Sequence, residues 1–137
     1  GLSEQIKAFT KVNHNARFYT SLGQTRYISC LQHVDVVVGN SSSGLLEAPS
    51  FKTPTINIGS RQQGRLKATS VIDCKPVTQQ ISAALTKAFS GEFLNEIANT
   101  ENPYGTGGAS DKIITILEQL DINGILNKQF HDLIIKD

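Results

Sequence analysis

Ser41, Ser42 and Ser43 follow the β-branched run "VDVVVGN" and lead directly into Gly44 and, three residues on, Glu47. Small hydroxyl side chains where a strand gives way to a helix are suited to gripping an anion. Backbone N–H groups of a first helical turn lack intrahelical acceptors, and the aligned peptide dipoles leave partial positive charge there, so a phosphate is favoured. Gly44 lets the backbone approach closely. Glu47 is an unusual companion, because a carboxylate competes with a phosphate for the same positive end. It is better matched to neutral hydroxyls, such as those of a ribose.

Two other readings of the turn stay open on residue types alone. One serine suffices as an N-cap, with Glu47 as a solvated first-turn acid. A strand, a tight turn and a serine before a helix are also the setting of a nucleophile elbow, in which His131 would have to return to the serine. Downstream, "GSRQQGR" leaves the end of a second β-branched run with Arg61 and Arg65 close together, and guanidinium forks suit phosphate oxygens. "NPYGTGG" (Asn102 to Gly108) is a Gly-rich loop before a helix without the lysine or preceding strand of a Walker sequence, and reads as a plain loop with a helix cap. His14, His33 and His131 are scattered and assemble no metal-ligand cluster.

These residues need elements to place them. Ser3 to Phe9 suits a short amphipathic helix, "RFYTSL" (Arg17 to Leu22) a strand, and Gln24 to His33 a helix carrying Tyr27, Ile28 and Leu31. "VDVVVG" and "PTINIG" (Pro54 to Gly59) are nearly continuous β-branched runs, typical of parallel strands covered on both faces. Between them Gly44 to Phe51 reads as one short helix, stopped at Lys52, Thr53 and Pro54. "SVIDC" (Ser70 to Cys74) is a further strand. Ile81, Ala84, Leu85, Ala88 and Phe89 mark an amphipathic helix, and Ile113, Ile116, Leu117 and Leu120 another. Ile125, Leu126, Phe130, Leu133 and Ile134 suggest a docked terminal helix. The alternation predicts an α/β fold, a three-layer arrangement with a mostly parallel sheet between helices.

Composition excludes several classes. At 137 residues, with 39% hydrophobic and 18% charged residues, the chain fits one globular domain. Thirteen Lys and Arg against 12 Asp and Glu give a net charge of +1, without the basic clusters of a nucleic-acid binder. No apolar stretch reaches the roughly 20 residues needed to cross a bilayer, and no signal peptide is visible, so a cytoplasmic protein without membrane or nucleic-acid partners is expected. Cys30 and Cys74 lack metal or redox spacing and read as reduced, partly buried thiols. The chain contains no methionine. It opens on a helix instead of a strand, so it is expected to be a piece of something longer.

Taken together, "GNSSSGLLEAPSFKTPTINIGSRQQGR" and "NPYGTGGAS" closely resemble the UDP-N-acetylglucosamine 2-epimerases, especially the hydrolysing branch that feeds sialic-acid and related nonulosonate synthesis. The likeness runs from about Tyr19 to Leu120. It implies two Rossmann-like domains in the GT-B arrangement with the sugar nucleotide between them, and residues 1–137 as most of the C-terminal, UDP-binding domain. By this resemblance Ser41 and Ser42 hold the diphosphate with the helix N-terminus, Ser43 and Gly44 belong to the same turn, Glu47 takes the ribose hydroxyls and Arg61 lies near the diphosphate. Tyr27 falls where the family has a ring near the uracil, although a core tyrosine is an equal alternative.

The family's reaction is anti elimination of UDP to a 2-acetamidoglucal, followed in hydrolysing members by addition of water to give N-acetylmannosamine. It uses no cofactor. Its acid and base groups, carboxylates and a histidine, precede the part of the protein represented here, and none of the three histidines matches that one, so no catalytic residue is expected in this segment. The resemblance implies UDP-N-acetylglucosamine or a related UDP-sugar as ligand, a missing N-terminal domain as partner and a homo-oligomer at full length. Thr106 departs from the aspartate common in the family's loop. A GT-B glycosyltransferase domain is the alternative, since it would use the same diphosphate turn.

Overall fold

In the computed structural model, which describes residues 1–124, the β-branched runs form one parallel sheet. Its strands are β1 (Val37–Gly39), β2 (Thr55–Ile58) and β3 (Val71–Cys74), paired in that order. Val38 lies opposite Ile56 and Ile56 opposite Ile72, while Gly39 faces Asn57 and Asn57 faces Asp73. Side chains alternate between faces along a strand, so this register divides the sheet into two chemically distinct sides. Ile56, Ile58, Ile72 and Cys74 share one side, where Ala84, Leu85 and Ala88 of α4 (Thr78–Ala88) pack on them. Ile56 is fully buried, worth about 1.5–3 kcal/mol of transfer free energy.

Thr55 and Asn57 point to the opposite side. There α3 (Ser43–Leu46) lies so close that a Cβ on Gly44 would stand 2.5 Å from Thr55 Cγ2. The sheet therefore carries helices on both faces, in a Rossmann-like α/β arrangement, as the alternating pattern predicts. Asn57 donates to Asp73 Oδ1 at 2.7 Å, and Lys67 donates to Asp73 Oδ2 at 2.6 Å, so the buried amide is tied to a surface ion pair.

The helices α1 (Leu2–Val12) and α2 (Gly23–Leu31) precede the sheet. Leu31 is buried, and its carbonyl accepts from the Thr53 hydroxyl at 2.8 Å, which anchors the end of α2 beside β2. Helix α5 (Gly91–Ile97) follows α4 and buries Phe93 and Ile97; the Ser90 side chain caps it by accepting from the Phe93 N–H at 3.2 Å. The chain divides after Gly105. The second unit contains α6 (Ala109–Gln119), which carries the expected Ile113, Ile116 and Leu117. The apolar set from Ile125 to Ile134 lies outside the described residues.

The elements depart from expectation in four places. "RFYTSL" is not a strand: among the described residues no strand pairs with it. Its backbone thus gains no ladder; Phe18 is half-buried, its ring centroid 5.2 Å from Lys7 Nζ, and Tyr19 is 62% exposed. The Gly44 to Phe51 helix is broken in two, α3 ending at Leu46 and a 3₁₀ turn occupying Ala48–Phe51. Pro49 explains the break, since it has no N–H to donate and its ring would meet the Leu45 carbonyl of a continuous helix. The short helix α5 was not foreseen. Cys30 is exposed instead of partly buried, because the packed face of α2 is that of Leu31; Cys74 is half-buried, and both thiols are free.

Candidate functional site

β1 and β2 are parallel and in register, so the segments leaving their carboxyl ends emerge side by side. From β1 comes Asn40 to Ser42, the entry to α3; from β2 comes Gly59 to Arg65. Gly59 turns the second segment off the strand at φ +82°, a conformation that favours glycine. The two are joined by Gln62, which is 3% exposed and donates from Nε2 to the Asn40 carbonyl at 2.7 Å. That bond brings the loop carrying Arg61 against the serine turn. Nothing in the residue pattern singled out Gln62, since a glutamine among arginines and glycines reads as solvated surface.

Within the serine turn most amides are already used. The Ser43 N–H donates to Ser41 Oγ at 3.3 Å, the Gly44 N–H to the Ser41 carbonyl at 3.3 Å, and the Leu45 and Leu46 N–H groups to the Ser42 carbonyl at 2.9 Å. Helix α3 is a single turn of 4 residues, so its dipole is far smaller than a long helix would supply. An anion at this turn would thus meet hydroxyls more than a helix end. Ser41 Oγ accepts internally, which leaves its hydrogen free to donate outward, and the residue is exposed.

Ser43 and Tyr27 are brought together: the Ser43 hydroxyl donates to the Tyr27 phenol oxygen. This partner is not a base that could activate a serine, and among the described residues no histidine meets the triplet, as both His14 and His33 are exposed elsewhere. His131, required for a nucleophile elbow, lies outside the described residues. Tyr27 is half-buried and, with Ser21, Leu22, Gly23 and Gln24, lines an open cavity of about 420 Å³. Its ring is thus neither a sealed core residue nor a free surface one.

Glu47 stands at the C-terminal end of α3, not in the first turn of a longer helix. Its Oε2 is buried without a hydrogen-bond partner among the described residues. A carboxylate oxygen at the negative end of a helix, out of water and unpaired, is costly, and a hydroxyl donor would satisfy it. Arg61 and Arg65 are exposed and make no ion pair among the described residues, leaving both guanidinium groups available. Among the described residues no group of three His, Cys, Asp or Glu could hold a metal ion.

The turn and loop therefore present hydroxyl donors, two guanidinium groups, one unpaired carboxylate and a half-buried aromatic ring. Comparison with known proteins gives this arrangement a context. The sequence model described as UDP-N-acetylglucosamine 2-epimerase matches residues 2–118. A GDP/UDP-N,N'-diacetylbacillosamine 2-epimerase (hydrolyzing) of Campylobacter jejuni is 41% identical over 124 residues, covering 90% of this chain and 32% of that protein. Polysialic acid biosynthesis protein P7 of Escherichia coli is 31% identical, over 96% of this chain and 33% of its own length. A UDP-N,N'-diacetylbacillosamine 2-epimerase (hydrolyzing) of Legionella pneumophila is 34% identical, over 83% and 29%. The chain thus spans about a third of the length of these relatives.

Proposed function

Because the chain belongs to the UDP-N-acetylglucosamine 2-epimerase family, we propose that it is the UDP-binding part, in a GT-B arrangement, of a hydrolysing 2-epimerase acting on a UDP-linked 2-acetamido sugar. The observation that supports this reading is the Gln62 bond to Asn40, which holds the loop carrying Arg61 against the segment that leads into the serine turn. In this reading Ser41, Ser42 and Arg61 hold the diphosphate, Ser43 and Gly44 shape the turn, and the half-buried Glu47 carboxylate accepts from the ribose hydroxyls. Tyr27, which lines the cavity beside the turn, stacks on the uracil in this reading.

The whole protein would remove the proton from C2 of the sugar while the C1–O bond to UDP breaks, forming a 2-acetamidoglucal. Water then adds across the C1–C2 double bond, giving the 2-epimeric free sugar. Departure of UDP places negative charge on the β-phosphate, and this chain's part in the chemistry is to stabilise that charge with Arg61 and the serine hydroxyls. The family's description points to UDP-N-acetylglucosamine and the names of two relatives to UDP-N,N'-diacetylbacillosamine as the sugar nucleotide, and a third relative is named for polysialic acid biosynthesis.

Titration of the chain with UDP, followed calorimetrically, should show binding that falls about tenfold or more in Arg61→Ala, as expected on losing a hydrogen bond to a charged group. A folded chain that binds no UDP at millimolar concentration would sink the reading. For the full protein, release of UDP and free 2-epimerised sugar without an acceptor is expected; a strict acceptor requirement would indicate a glycosyltransferase instead.

A further inference from the structure

The loop "NPYG", residues 102–105, has no part in the reading so far, yet its side chains reach two of the segments that carry it. Asn102 Nδ2 donates to the Leu46 carbonyl at 2.8 Å and to Ser50 Oγ at 2.7 Å, across more than 40 residues of sequence. Its Oδ1 accepts from the Tyr104 N–H at 3.0 Å, and its backbone carbonyl accepts from the Gly105 N–H at 3.0 Å. Asparagine first, proline second and glycine fourth are the preferences of a tight turn closed in this way. At its far end the Tyr104 hydroxyl donates to the Leu66 carbonyl at 3.1 Å, immediately after Arg65.

Leu46 is the last residue of α3, so its carbonyl is one of the helix-end acceptors with no intrahelical donor. Its peptide bond is also the one that carries Glu47. Fixing that carbonyl from one side and Ser50 from the other fixes the backbone on either side of the carboxylate. We propose that Asn102 is a positioning residue for Glu47: by holding the Leu46 carbonyl and Ser50 together, it sets the backbone from which the Glu47 carboxylate meets the ligand. Tyr104 fastens the same loop beside Arg65. This inference rests on the UDP-binding reading and adds a residue to it.

The test uses the polypeptide that carries this chain, with UDP as probe. Asn102→Asp keeps the oxygen that closes the turn but loses both donations across to Leu46 and Ser50. It is expected to raise the UDP dissociation constant about tenfold in the wild-type background, and by less than about twofold when Glu47 is already Gln, since a positioning group acts only through the group it positions. Thermal melting confirms that each variant is folded. Should Asn102→Asp not fold, Tyr104→Phe, which removes only the hydroxyl, carries the same comparison and should show the same dependence on Glu47. Equal losses with and without Glu47, or no loss at all, would overturn the proposal while leaving UDP binding itself intact. Absence of UDP binding by the folded wild type would overturn the UDP-binding reading and the proposal with it.

Discussion

Asp73 accepts from two donors at once, Asn57 on Oδ1 and Lys67 on Oδ2. Partial burial pushes its carboxyl upward, but the hydrogen bonds from Asn57 and Lys67 and the Lys67 charge outweigh it, so the group titrates below the ordinary carboxylate value. A carboxyl held low in the folded state stabilises above its unfolded value of about 3.9 and loses that contribution as pH falls through the folded value. Denaturant titrations between pH 6 and pH 3 should therefore show a flatter acid limb in Asp73→Asn than in wild type. The side chain is 53% exposed, so the difference should be modest and shrink in salt. At Cys74, burial and then the Asp73 charge push the thiol upward. Exposed Cys30 is expected to alkylate well before Cys74, as mass spectrometry of iodoacetamide-treated protein would read. Equal rates would contradict the described burial.

At the scale of elements, Gly44 is where helix and strand meet most closely. Gly44→Ala would drive a methyl group against Thr55 Cγ2 and should destabilise the fold by about 1–3 kcal/mol, the usual cost of overpacking. Thr55→Ala removes that obstacle together with a hydroxyl that is buried without a partner among the described residues, so the double variant should recover most of the loss. Chemical denaturation of the two singles and the double checks this; additive losses would refute it. Ile56→Ala, at the centre of the opposite face, should cost about 2–5 kcal/mol.

These two faces also mark what was legible in the residue pattern. Val37 to Gly39, Thr55 to Ile58 and Val71 to Cys74 announce themselves because buried parallel strands need continuous apolar runs. "RFYTSL" has strand-favouring aromatic and β-branched residues, but a strand exists only where a partner accepts its backbone, and pairing is not written locally. The serines, Glu47 and Arg61 stood out because their types are unusual at a strand end. Gln62 did not, and Asn102 only as part of a Gly-rich loop, because they act through long-range hydrogen bonds, which leave no periodicity behind.

At the scale of the molecule, this chain spans about a third of its relatives, and the proposed division of labour follows from that. The segment would hold the leaving group while the proton transfers are made elsewhere in the polypeptide. Incubated alone with UDP-N-acetylglucosamine, it is therefore expected to release no UDP above the uncatalysed rate while still binding UDP, an outcome a coupled UDP assay would read. Turnover by the chain alone would place an acid and a base within it and overturn that division.

The register of β1 against β2 has a consequence of its own. Gly39 is level with Asn57, so the serine turn and the arginine loop start within a residue of the same height on neighbouring strands, which stand about 4.8 Å apart. In the proposed reading the sheet thus acts as a ruler: the separation between the two loops that would grip one ligand follows the ladder spacing. Deleting one residue of β2 would shift Arg61 by about 3.3 Å along the strand and turn the strand residues after the deletion to the opposite face. A ruler also measures what is laid against it. A ligand with one phosphate spans fewer of the grips than a ligand with two, and UMP should bind about tenfold or more weakly than UDP, the difference of one charge-assisted contact.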